Sequence, residues 1–157
     1  MDIELIERLN KKRIFIELDE NLLKKALFFY KAGIQPKNIS SAQLSAVSMK
    51  IYRASSTDEA KKQVVAFLSK QMEKLSKKQK DGEQKSWLKK PEISCETETL
   101  GDMVKDWIKN EEYLLNEHSA SGLDRLSIMR RFWGFVSGLY NYKKSFEKGM
   151  PIEEGEL

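Results

Sequence analysis

Ile128–Phe146 reads IMRRFWGFVSGLYNYKKSF. An arginine pair, Arg130 and Arg131, leads into the dense apolar and aromatic set Phe132, Trp133, Phe135, Val136, Leu139, Tyr140 and Phe146, and Lys143 and Lys144 close the run. The stretch predicts one long helix that starts near Leu123, is capped by Ser121 and stops at Gly149, with Pro151 beyond it. So aromatic a surface must pack on other elements, and its charged flanks must reach a partner.

The upstream sequence supplies those elements as helices. Thr99 and Asp102 form an N-cap pair ahead of residues 100–116, where Leu100, Met103, Val104, Trp107, Ile108, Leu114 and Leu115 recur at helical spacing. Ser56 with Glu59 and Ser40 with Gln43 read as capping boxes for helices over 57–79 and 41–54. Asp19 is the expected N-cap of a helix over 20–32, which Gly33 and Pro36 stop. Residues 2–12 predict a short first helix. Arg13–Leu18 (RIFIEL) alternates weakly like a strand, but a lone strand has no partner here, so helix or extended linker is favoured. Residues 80–99, with Gly82 and Pro91 and no clear period, are expected to form a mobile loop that Trp87 and Leu88 could anchor. The acidic tail over 150–157 is expected to fray. The sum is an all-α, single-domain bundle of five or six helices spanning residues 1–157.

Charge is polarised along the chain. Residues 41–91 hold 12 Lys/Arg against 5 Asp/Glu, whereas residues 92–120 hold 2 against 8. Faces of opposite sign would attract a polyanion or let copies stack head to tail, or they are simply solvated helix faces. The chain has no apolar run long enough for a signal peptide or a membrane span, and a single cysteine suits a reducing compartment, so the expected location is cytoplasmic.

Catalytic chemistry is missing from the pattern. Cys95 and His118 are too few to build a metal site, and the acidic neighbours Glu92, Glu96 and Glu98 oppose a Cys95 thiolate. No phosphate-cradling glycine loop is present. Gly134 and Gly138 have GxxxG spacing, which predicts close helix packing. The expectation is a protein that is not an enzyme and takes no cofactor or metal.

Phosphate-binding chemistry is present. Lys50 and Arg53 share a helix face. Lys61 and Lys62 lie near a positive helix N-terminus. Arg130 and Arg131 can grip phosphate in the planar, bidentate way that lysine cannot, unless they pair with the acidic helix at 102–117. Lys143 and Lys144, at the far end of the last helix, are candidates as well. Most of the aromatics are expected in the core, although their number suggests an apolar patch left over on the last helix for a protein partner.

Ile39–Tyr52 (ISSAQLSAVSMKIY) and Ile128–Phe146, together with size, basic charge and the lack of a catalytic set, resemble the small helical subunits of type III CRISPR effector complexes, the Csm and Cmr small-subunit families. The chain departs from the Csm pattern at Gly134, Ser137 and Gly138 and in the 80–99 loop. The resemblance implies antiviral defence: a subunit stacked in several copies along larger subunits of a ribonucleoprotein. It would hold guide and target RNA through basic side chains without cutting it. Two rivals remain: a DNA-binding regulator using residues 40–79 as a helix-turn-helix, and an adaptor that binds only protein.

Overall fold

The computed structural model describes residues 2–78, 85–93, 96–114 and 124–147. These form five α-helices in one bundle, with no strand among the described residues: α1 (Ile3–Ala32), α2 (Ser41–Arg53), α3 (Thr57–Lys78), α4 (Leu100–Lys109) and α5 (Arg125–Glu147). None of these helices is long and apolar enough to cross a membrane.

α1 overturns the expected division into two helices. It runs unbroken for 30 residues, about 45 Å, through RIFIEL and past Asp19. Asp2 is its N-cap, accepting from the Glu4 and Leu5 amides. Asp19 cannot cap because its carboxylate faces α5, where Arg131 donates to it from Nε and from Nη2 at 2.7 Å. An aspartate competes with a helix only when its side chain turns back on its own backbone. The helix ends as expected at Gly33. Its φ of 130° and the Ile34 amide donating to Phe29 O at 3.1 Å close the last turn. A Cβ there would lie 2.9 Å from Asn38 Nδ2, whose amide group donates to Gly33 O.

The capping box at Ser40 and Gln43 is present in both directions. At α3 the reciprocal bond is displaced by one residue. Ser56 accepts from the Glu59 amide, but Glu59 takes the amide and hydroxyl of Ser55. α4 begins at its Thr99 cap but stops at Lys109, well short of residue 116. Glu111 takes a left-handed conformation, φ 52°, and the Glu112 amide reaches back to Trp107 O at 2.9 Å. This closure ordinarily uses glycine. Here Lys61 and Arg125 hold the Glu111 carboxylate and stabilise the turn from outside. α5 starts at Arg125, with Asp124 accepting from the Ser127 amide at 2.7 Å. The expected cap Ser121 lies outside the described residues, as do Cys95 and His118.

The core joins α1, α4 and α5 through an aromatic cluster. Phe29 meets Phe132 edge-on at 5.2 Å, Trp107 stacks on Phe132 at 4.9 Å, and Tyr113 meets Trp107 edge-on at 5.5 Å. Each such ring contributes about 1.5–3 kcal/mol by burial and about 1 kcal/mol from pair geometry. Polar tips lock the orientation of α5. Trp133 Nε1 donates to Ser48 Oγ at 2.8 Å, and Tyr140 donates to Ile39 O at 2.7 Å. Residues 85–93, within the segment expected to be mobile, are bound to the body. Trp87 is fully buried, the Ser86 amide donates to Asn38 O, and Glu92 donates from its amide to Ala32 O and pairs with Lys37. Gly101 lets α4 sit on this segment and on α3, since a Cβ there would lie 3.2 Å from Trp87 Cβ and O and 2.5 Å from Met72 Sδ.

Two packing expectations fail. Gly134 and Gly138 make no close helix seam among the described residues. A Cβ on Gly134 would meet only Tyr52 Oη, at 3.4 Å, and one on Gly138 would meet nothing within 4 Å. The left-over apolar patch is not on α5 among its described side chains, because Phe132, Trp133, Val136 and Tyr140 are buried. It lies on α1, where every residue from Asp2 to Arg13 is exposed.

Candidate nucleic-acid interface

Basic side chains are useful to a polyanion only where no acidic or carbonyl partner holds them. Arg130 is held. Its Nε donates to Ile51 O at 3.3 Å, and Nη2 donates to Tyr52 O at 3.1 Å and Ala54 O at 2.6 Å. These are the carbonyls left unpaired at the end of α2, and a cation there also opposes the helix dipole. Tyr52 returns a bond from Oη to Arg130 O at 3.2 Å, so the two residues clasp α2 to α5. Arg131 is held by Asp19, a hydrogen-bonded pairing that raises its pKa. Among the described residues, neither arginine pairs with the 102–117 segment. The partners of Glu111 in that segment are Lys61, at 2.6 Å, and Arg125, at 3.2 Å. The hydrogen bond from Lys61 holds the Glu111 carboxyl below its ordinary range.

Lys50 and Arg53 lie on one side of α2, as their spacing predicts. Lys50 Nζ stands 4.7 Å from the centre of the Phe67 ring on α3, a cation–π contact that orients the ammonium at the α2–α3 seam. Lys70 and Lys74 follow Phe67 by three and seven residues, so they continue along the same side of α3. Both are exposed, as is Arg53, and none of the three has an ion pair among the described residues. α2 contains no carboxylate. The result is a strip of Arg53, Lys50, Lys70 and Lys74 along a helical hairpin, with Phe67 set into it.

Lys62 is exposed but lies five residues before Phe67, about 140° round α3, and so does not join the strip. Lys143 and Lys144 fall in the last turns of α5, and their side chains lie outside the described residues. Lys70 and Lys74 carry the same signal in the sequence as any basic helix tail. Only their position beside Lys50 distinguishes them. The exposed rings among the described residues are Tyr52 and Phe28.

A concavity of about 780 Å³ lies between α1 and α4 over the Phe29 and Trp107 rings. Its rim is mixed: Lys24 and Lys25 face Glu96, Asp106 and Glu112, and Lys25 donates to Glu112 O at 2.7 Å. Burial raises the pKa of Glu112; Lys25 opposes the shift, and Asp106 and Glu96 add to it. This balance does not suit a polyanion. No group of three or more His, Cys, Asp or Glu among the described residues is placed to hold a metal ion. No protein-family model, curated protein or solved structure matches the chain.

Proposed function

We propose that this chain is a non-catalytic, RNA-binding assembly subunit. In this proposal it is a small helical subunit of a type III CRISPR effector complex, working in the cytoplasm. It contacts the guide and target RNA backbone through the α2–α3 strip while other surfaces meet neighbouring subunits. The observation that carries this is the strip itself: a helix without carboxylates whose lysine is held on an aromatic ring, beside three cations that have no ion pair among the described residues. Such a surface attracts phosphate without reading base sequence. Arg130 and Arg131 support the strip by holding α2 and α1 to α5.

The test is a salt titration of binding to single-stranded RNA and to duplex DNA of equal length, with wild type and with Arg53→Ala, Lys70→Ala and Lys74→Ala combined. RNA should bind more tightly, with little sequence preference. The triple variant should lower the salt slope by about 2, since each single-strand phosphate contact contributes about 0.7. Absence of binding near about 50 mM salt, or an unchanged slope, removes the strip as the site. Preference for a palindromic duplex favours the DNA-regulator assignment instead.

A further inference from the structure

α1 has two apolar stripes, and the bundle uses one. Leu18, Leu22, Ala26 and Phe29 are buried against the body. Ile16, two residues before Leu18, points about 200° away from it. Leu5, Leu9, Ile16 and Leu23 fall on this outer side with exposures of 52, 57, 59 and 38%. Leu9, Ile16 and Leu23 are spaced by seven, the repeat that keeps one stripe facing a second helix along a supercoil. Isolated exposed leucines need no explanation, but an aligned series at a heptad repeat does.

The charges beside the stripe identify what covers it. They are basic before Ile16, at Lys12 and Arg13, and acidic after it, at Asp19 and Glu20, all within about 60° of the stripe. Inverted about Ile16, this basic pair comes level with the acidic pair of a second copy, whereas Arg8 would come level with Lys24. We infer that α1 pairs antiparallel with α1 of a second copy of this chain, the two-fold axis passing at Ile16. Leu9 then lies level with Leu23 of the second copy. Lys12 and Asp19 share one flank of the stripe, Arg13 and Glu20 the other. Antiparallel helices set each flank against the same flank of the partner, so Arg13 meets Glu20 twice by symmetry, and Lys12 comes level with Asp19, whose carboxylate also holds Arg131. A parallel pair would align basic block with basic block, so the charge order selects the antiparallel dimer. The contact is closed and isologous, unlike head-to-tail stacking, and it is independent of the RNA-binding proposal.

The test measures mass by sedimentation of the full chain from about 1 to 100 μM, a range that spans weak interfaces. Wild type should show a concentration-dependent dimer. Ile16→Glu should raise the dissociation constant at least about tenfold, with helix content by circular dichroism unchanged because the residue is exposed. Arg13→Glu should weaken the dimer, and adding Glu20→Arg to it should restore it. A monomer at every concentration, or a dimer indifferent to Ile16→Glu, overturns the inference and leaves the stripe to a different protein. Failure of the double variant to recover overturns the antiparallel register.

Discussion

The arginine pair at the start of α5 and the cations along α2 and α3 are the same chemistry in two settings. Arg130 and Arg131 meet three carbonyls and a carboxylate, so their charge is absorbed in holding helices together. Arg53, Lys70 and Lys74 have no such partner among the described residues and keep their charge at the surface. A guanidinium's suitability for phosphate is therefore no guide to its use. The same planar donors suit the end of a helix.

The comparison breaks first at Arg130. Arg130→Met should cost about 2–3 kcal/mol, because it leaves three helix-end carbonyls without their donor. Thermal melting measures this, and a variant that melts with wild type would return Arg130 to the pool of free cations. Glu111→Gln should cost about 1 kcal/mol by weakening the pairs with Lys61 and Arg125. It also has a pH signature. Glu111 has a folded pKa below its ordinary value of 4.5, so its stabilisation is present above about that pH. That stabilisation is lost as pH falls through the folded value. Denaturant melts from pH 6 to about 3 should therefore show a shallower acid loss for the variant than for wild type. Arg131→Ala removes a partly exposed pair with Asp19 and should cost less than about 1 kcal/mol. Arg53→Ala with Lys70→Ala should change stability by less than about 0.5 kcal/mol. The same pair should measurably weaken RNA binding at low salt, and a binding isotherm matching wild type would separate exposure from function.

Local sequence reads well wherever both partners are neighbours. Ser40 with Gln43, Thr99 with Asp102, and Gly33 at the end of α1 are found where a side chain or a glycine meets a backbone a few residues away. The reading fails where the partner is remote. Nothing local marks Glu111 as the end of α4, because the groups that hold it are 50 and 14 residues away in sequence. Asp19 resembles an N-cap until Arg131, 112 residues on, is brought beside it. In the candidate site, the shared face of Lys50 and Arg53 is legible from spacing alone. Their continuation into Lys70 and Lys74 requires Phe67 to be packed under Lys50.

The amino-acid order alone decides the all-helical character, most helix starts, the apolar stripes and the block pattern of charge. All of these arise from interactions within a turn or two of helix. The tertiary structure decides which of two stripes on α1 is buried, which aromatics form the core and which cations have no partner among the described residues. Those outcomes depend on groups far apart in sequence meeting within hydrogen-bond or van der Waals distance, a condition that periodicity does not encode.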